Sequence, residues 1–271
     1  MPQCELRFSE QESSVIGAEL SKLLSQGVIM RATYCKNQFI SNIFMRPKRN
    51  GKYTLILNLA KFNENINYRH FKMESLNTAM HLISKNCYFA SVGLCDAYYS
   101  VLIVSEHRIY LRFTWKQQIY EFTSLPNGLA CVRLLFTKLM KPVYATLRSA
   151  RFISVAYIDD SLLISDTAEH CSKNVNETIN LSSELGFTIN YEKSVLIPAH
   201  SIKFLGFIID SNTMTIRPTS EKLSKLKDMA QSLLNNKIHK VYNLSSFIGF
   251  IVSNFPAVKY GQLHYRNLET N

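Results

Sequence analysis

An α+β fold follows from three features of the sequence. Segments with the two-residue period of strands and segments with helical period occur in mixed order along the chain. Hydrophobic residues make 46% of the 271 and aromatics 11%, enough for a sizeable core and too much for a disordered chain. No apolar run approaches the ~20 residues that a membrane helix needs; Phe247–Val252 is short and flanked by Ser and Asn. The length fits one large domain or two or three lobes.

The elements follow in order. Ser9 and Glu12 form a capping box. Val15, Ile16, Leu20, Leu23 and Leu24 then keep helical spacing until Gly27 ends the helix. Asn50-Gly51 is a hairpin turn signal. In Tyr53–Leu59 the residues Tyr53, Leu55, Leu57 and Leu59 alternate with Thr54, Ile56 and Asn58, which predicts a strand. Tyr88–Val104, Ile109–Thr114 and Ile119–Phe122 read as further strands. Residues 131–148 read as a helix whose inner face is Leu134, Leu135, Leu139 and Val143. Ile153–Ile158 and Leu162–Ile164 are two apolar runs meeting at Asp159-Asp160. A helix over 168–185 stops at Gly186. Short strands are predicted at Phe187–Ile189, Val195–Ile197 and Phe204–Ile209, and two helices at about 219–235 and 242–253.

The net charge of +11 is unevenly placed. Residues 31–72 carry a net +8, residues 106–151 a net +6 and residues 221–271 a net +4, whereas residues 152–200 carry −5. Basic walls attract a polyanion and an acidic centre attracts divalent cations. Charge alone leaves open the plainer reading, solvated lysine faces. The six cysteines are scattered without a Cys-x-x-Cys, so they read as reduced thiols rather than a zinc site or disulfide frame. Met1–Phe8 lacks a signal core, so secretion is not expected and an intracellular location, cytoplasmic or nuclear, is.

Tyr157-Ile158-Asp159-Asp160 is the sharpest local feature. Adjacent carboxylates between apolar strands repel each other and lose hydration, which makes sense where a cation neutralises them. A polar turn is the plainer alternative.

The neighbouring motifs decide between the two. Arg46-Pro47-Lys48-Arg49-Asn50-Gly51-Lys52-Tyr53, with Leu55–Leu59 and Lys61-Phe62-Asn63, resembles the fingers hairpin of reverse transcriptases. Asp96-Ala97-Tyr98-Tyr99-Ser100-Val101 resembles the second half of their first catalytic motif. Leu125-Pro126-Asn127-Gly128-Leu129 resembles the loop before the palm helix, and Tyr157–Asp160 the metal-binding hairpin. Gly186–Asn190 through Lys193-Ser194 resembles the next motif, and Phe204-Leu205-Gly206-Phe207 the hairpin that grips the primer. Each motif is weak alone; six in order over about residues 8–269 are specific. Within the family the sequence is most similar to the polymerases of DIRS-type (tyrosine-recombinase) retroelements.

The resemblance implies a right-hand polymerase of fingers, palm and thumb, its palm an antiparallel sheet packed on helices. Fingers would span 1–87, with 105–128 returning to them. Palm would span 88–104 and 129–210, and 211–271 would be thumb and the start of a connection. It implies template-directed DNA synthesis on an RNA or DNA template with a primer, from deoxynucleoside triphosphates, with Mg²⁺ or Mn²⁺ as cofactor. Asp159 and Asp160 would be catalytic metal ligands. Asp96 and Ala97 would lie along the triphosphate, Tyr98 would crowd a ribose 2′-hydroxyl, and Asn127 would contact nucleotide or template. Lys48, Arg49 and Lys52 would lie near the phosphates and Lys193 close to the reacting centre. Taken singly, Tyr98 reads as strand packing, Lys193 as a solvated cation and Asn127 as a turn residue; the ordered motif set is what favours the functional roles. No membrane partner and no RNase H domain are expected, so the chain reads as a fragment or truncated copy of a longer element; its oligomeric state is open.

Three positions depart from the family pattern. Gly93 stands where an Asp normally binds both metals. Asp96 is no substitute, because residues 93 and 96 of a strand face opposite ways. Thr54 stands where an arginine usually meets the triphosphate. Val132-Arg133-Leu134 replaces a proline near the palm helix. The sequence therefore predicts a reverse transcriptase fold with weak or lost catalysis, or else a non-catalytic nucleic-acid-binding remnant. A ribonucleotide-incorporating palm polymerase fits less well, since Tyr98 and Tyr-x-Asp-Asp argue against it.

Overall fold

The computed structural model describes residues 8–47, 53–67, 69–235 and 240–263. Its first elements are α1 (Glu10–Ser25), β1 (Ile29–Ala32), β2 (Ile40–Pro47), β3 (Tyr53–Asn58), α2 (Ala60–Asn63), α3 (Leu76–Leu82) and β4 (Tyr88–Gly93). A 3-10 helix (Ala97–Ser100), α4 (Ser105–Arg108), β5 (Arg112–Trp115), β6 (Gln118–Phe122) and α5 (Val132–Ser149) follow. Then come β7 (Ile153–Tyr157), β8 (Asp160–Ser165), α6 (Ala168–Glu184), β9 (Val195–Ala199), β10 (Ser201–Phe204), β11 (Phe207–Asp210), β12 (Thr215–Pro218), α7 (Ser220–Asn235) and α8 (Val241–Val252). The chain divides into two compact units. The first is drawn from Met1–Lys72, Leu94–Val143 and Ser182–Ile189, the second from Met73–Gly93, Tyr144–Leu181 and Asn190–Asn271.

The first unit is built on a five-stranded sheet in the order β1-β6-β5-β2-β3, antiparallel except where β2 meets β5. The capping box forms as predicted: Glu12 N–H donates to Ser9 Oγ at 3.2 Å and Ser9 N–H to Glu12 Oε2 at 2.8 Å. Gly27 leaves the helix with φ of 68°. Ile16, Leu20 and Leu23 are buried, as are Leu55 and Leu57 of β3, so both apolar periodicities turn inward onto one core with Phe113 and Phe122. The Asn50-Gly51 turn lies outside the described residues.

The second unit holds the antiparallel sheet β7-β8-β4-β9 and the sheet β10-β11-β12. Phe89, Val155, Leu162 and Ile164 share a core with Ile202, Phe204, Phe207 and Ile209. The Lys222 ammonium of α7 sits 3.8 Å from the Phe207 ring centroid and donates to the Ser253 carbonyl at 2.9 Å, tying α7 to β11 and to the end of α8. No described helix is long and apolar enough to cross a membrane.

Five predicted elements are corrected. The strand from Tyr88 stops at Gly93, because Asp96 adopts φ 41°, ψ 41° and turns the chain into the 3-10 helix. The strand predicted from Ile109 begins at Arg112, after the helical turn Ser105–Arg108. On α5 the buried stripe is Val132, Phe136, Met140, Tyr144 and Leu147, while Leu135 and Leu139 are exposed. Phe136 meets Tyr98 and Phe187 edge-on, at centroid distances of 5.4 and 6.0 Å, and these ring contacts set the rotation of the helix. Phe204–Ile209 is not one strand but a hairpin, turning at Leu205 (φ 48°) and Gly206 (φ 81°) so that Phe204 pairs with Phe207. Of the predicted strand Phe187–Ile189, only Ile189 bridges, to Leu94.

Candidate active site

In the second unit, β7 and β8 pair from Ile153↔Ile164 to Tyr157↔Asp160, leaving Ile158 and Asp159 as the loop. Ile158 adopts φ 57°. A β-branched residue is rarely found there, at a cost of about 1–3 kcal/mol, and such strain gathers at functional sites. The turn thus presents Asp159 and Asp160 at one end of the four-stranded sheet.

β4 pairs with β8 so that Gly93 lies directly across from Asp160. A Cβ on Gly93 would sit 3.4 Å from Asp160 Oδ1, 3.8 Å from Lys193 Cβ and 3.9 Å from the Asp159 carbonyl oxygen. These are ordinary contacts, so a side chain at position 93 fits and would enter the carboxylate pair. The Gly93 backbone is held on both sides: its N–H donates to Ser194 Oγ at 3.0 Å, and its carbonyl accepts from Asn190 N–H at 2.8 Å. Ser194 Oγ donates in turn to the Asn190 carbonyl at 2.7 Å. Asp160 is a solvent-exposed residue, yet its carboxyl is partly withdrawn from water. That desolvation, with repulsion from Asp159, raises its pKa above 3.8, and the nearby Lys193 charge works the other way.

Neighbouring side chains brace the hairpin. Glu74 accepts from Arg148 Nη2 with both oxygens, at 2.6 and 2.7 Å, and from the Ala156 N–H at 2.6 Å. Arg148 Nη2 also donates to the Ser154 carbonyl at 2.9 Å. The pair thereby satisfies the outer edge of β7, which is an edge strand. On β8, the buried Tyr144 phenol and Ser161 Oγ share a short hydrogen bond. Burial pushes the Tyr144 phenol up to about 12, so it stays protonated. The strand parity argument against Asp96 does not apply, since the chain leaves strand geometry after Gly93. Among the described residues no three His, Cys, Asp or Glu side chains gather into a metal-binding group.

Four of the other predicted residues, Asp96, Ala97, Tyr98 and Asn127, lie in the first unit. Ala97 is buried, and Tyr98 packs on the core against Phe136. Asp96 lies 4.0 Å from Lys22 Nζ of α1. Asn127 Nδ2 donates to the Tyr99 hydroxyl at 3.2 Å, and burial pushes that phenol upward in pKa. Gly128, at φ 110°, lies so close to β3 that a Cβ there would stand 2.4 Å from the Leu57 carbonyl oxygen. Asn63 clamps the loop, donating to the Gly128 carbonyl at 2.9 Å and accepting from Ala130 N–H at 2.9 Å. Lys48, Arg49 and Lys52 lie outside the described residues.

Sequence reasoning missed Glu74, Arg148 and Tyr144, whose partners are remote in sequence and carry no local signature. Asn63 was visible only as part of a motif, not as the clamp of a loop 65 residues away.

Comparison with known proteins gives a consistent picture. The family model for reverse transcriptase (RNA-dependent DNA polymerase) matches residues 48–209. The Pro-Pol polyprotein of simian foamy virus type 3 (strain LK3) is 23% identical over 254 residues, 94% of this chain and 21% of that protein. The Pol polyprotein of the Drosophila melanogaster transposon 412 is 21% identical over 206 residues, 74% of this chain and 16% of that protein. The chain thus spans about a fifth of the length of these relatives. Among solved structures, a foamy viral protease-reverse transcriptase in complex with double-stranded DNA superposes with a TM-score of 0.81 at 22% identity, covering 99% of this chain and 45% of that one. One in complex with an RNA/DNA hybrid gives 0.71 at 20% identity, covering 92% and 32%. The α+β architecture is that of a right-hand polymerase.

Proposed function

The chain belongs to the reverse transcriptase family of RNA-directed DNA polymerases, and on that premise we propose that it is a retroelement polymerase domain that holds a primer–template but polymerises weakly, because Gly93 has removed one metal ligand. The observation that carries this reading is the register of β4 on β8, which sets Gly93 across from Asp160 with room for a side chain.

Five-stranded sheet and α1 are assigned to fingers within 1–87 and 105–128. The acid-bearing sheet is assigned to palm within 88–104 and 129–210. The helices α7 and α8 are assigned to thumb within 211–271. The basic segments of fingers, palm flank and thumb hold the nucleic-acid backbone, a contact that weakens with salt. Tyr98 is assigned to exclude a ribose 2′-hydroxyl, Asp96 and Ala97 to run along the triphosphate, and Asn127 to meet the nucleotide or template. Lys48, Arg49 and Lys52 are assigned to the phosphates and Lys193 to the edge of the reacting centre.

Asp159 and Asp160 are assigned as ligands of Mg²⁺ or Mn²⁺. Such ions, when bound, stabilise the attacking and leaving oxygens of phosphoryl transfer. The residues present fall one carboxylate short of the family's set, so the remaining pair holds a divalent ion less firmly. The finer placement among DIRS-type elements rests on motif resemblance; a tyrosine recombinase encoded at the same locus would support it.

The test is primer extension in Mg²⁺ or Mn²⁺ by the unaltered chain and by Gly93→Asp, with salt-dependent binding to the same primer–template measured beside it. Binding by both with extension restored only by Gly93→Asp is the expected result. Robust extension by the unaltered chain would sink the reading. Binding with no extension by either would favour the non-catalytic remnant.

A further inference from the structure

The hairpin β2–β3 has two unlike faces. Its core face is set by the pairs Ile43↔Leu57 and Met45↔Leu55, which turn Leu55 and Leu57 into the interior. Alternation then puts the pairs Phe44↔Ile56 and Arg46↔Thr54 on the opposite face. Directly opposed residues of an antiparallel pair hold their Cβ atoms about 4.5–5.5 Å apart on the same side. Arg46 is exposed, and its long side chain therefore stands beside the short, uncharged Thr54. That face borders the Asn127-Gly128 loop, since a Cβ on Gly128 would lie 3.6 Å from Ile56 Cγ2, and the preceding residue, Asn127, bonds Tyr99.

We infer that Arg46 supplies, from β2, the guanidinium for the nucleotide's phosphate tail that the sequence lacks at position 54 on β3. The inference rests on the nucleotide-binding reading above. A guanidinium presents a flat fork of donors that engages phosphate oxygens in pairs, which a threonine hydroxyl cannot do. Moving it to the cross-strand neighbour keeps it on the same face at nearly the same height along the hairpin. Thr54 then reads as one half of an exchange, not as a lost contact. A nucleic-acid backbone phosphate offers the same oxygens, so the experiment separates the two sources.

Equilibrium binding of a template-matched deoxynucleoside triphosphate, and of the corresponding monophosphate, is measured on the full chain bound to a chain-terminated primer–template in Mg²⁺. Arg46→Thr should weaken the triphosphate about tenfold, the value of one charge-assisted contact, and leave the monophosphate and primer–template within about twofold. The swap Arg46→Thr with Thr54→Arg should bring the triphosphate back to within about threefold of the unaltered chain. Unchanged triphosphate affinity in Arg46→Thr, loss of primer–template affinity in its place, or a swap that fails to recover would each overturn the assignment. If the unaltered chain bound no triphosphate at all, the nucleotide-binding reading would fall along with it.

Discussion

Two glycines, one in each unit, show opposite relations between a backbone and its missing side chain. Gly128 is required where it stands: its φ of 110° and the 2.4 Å approach to the Leu57 carbonyl exclude any Cβ. Gly93 is not required by its surroundings, since a Cβ there meets nothing closer than 3.4 Å. Its strand is fixed instead by Ser194 and Asn190 through the peptide groups, and by pairing with Asp160. The hairpin that carries Asp159 and Asp160 therefore keeps its frame with no side chain at position 93. Bonds to the peptide groups of Gly93 make no demand on the side chain at that position, so the frame does not depend on it.

The comparison breaks most visibly at position 93. Gly93→Asp should raise primer extension by at least about a thousandfold, corresponding to ~4 kcal/mol of transition-state stabilisation, measured as single-nucleotide incorporation rates. The same variant should lose thermal stability without divalent ions and regain it when Mg²⁺ is added, because a third carboxylate joins Asp159 and Asp160. Gly128→Ala should do the reverse, costing stability with no gain in rate. A strained φ together with a backbone clash costs on the order of 3 kcal/mol, read as a lowered denaturation midpoint. Glu74→Ala tests whether the hairpin of Asp159 and Asp160 keeps its frame because side chains brace it. Removing the partner of Arg148 and of the Ala156 N–H should cost about 1–2 kcal/mol, partly offset because water reaches this edge. A midpoint unchanged in Glu74→Ala would mean that the ladder to β8 alone fixes β7.

The parts of this molecule that were legible in the sequence are those with local causes. The capping box at Ser9, the stop at Gly27, the alternation of β3 and the acid pair between two apolar runs all depend on neighbours a few residues away. They appear where predicted. What failed depended on contacts across the chain. The face of α5 was assigned by leucine spacing, but ring contacts of Phe136 with Tyr98 and Phe187 turn a different stripe inward. The strand through Asp96 was read from its apolar content, which says nothing of a left-handed residue three positions past the strand end. The Phe204–Ile209 run hid a hairpin because Leu205, not only Gly206, takes positive φ. The Glu74–Arg148 brace joins residues 74 apart and had no sequence signal. The absence at position 93 was legible as a departure from a motif, whereas its place across from Asp160 required the strand register.

The smallest effect concerns the cost of the acid pair itself. Asp160 has a folded-state pKa above 3.8, raised first by desolvation and then by Asp159. The folded protein thus holds that proton more readily than the unfolded chain. Stability falls as pH rises from the unfolded value through the folded one, and the penalty is complete above it. Asp160→Asn removes the charge and should raise the denaturation midpoint at about pH 7, whereas near pH 3, where the aspartate is already protonated, the two proteins should unfold alike. The difference should also shrink when Mg²⁺ is present, because a bound cation relieves the same repulsion that the substitution removes. If Asp160→Asn were less stable than the unaltered chain at neutral pH, the carboxylate would be serving the frame rather than straining it.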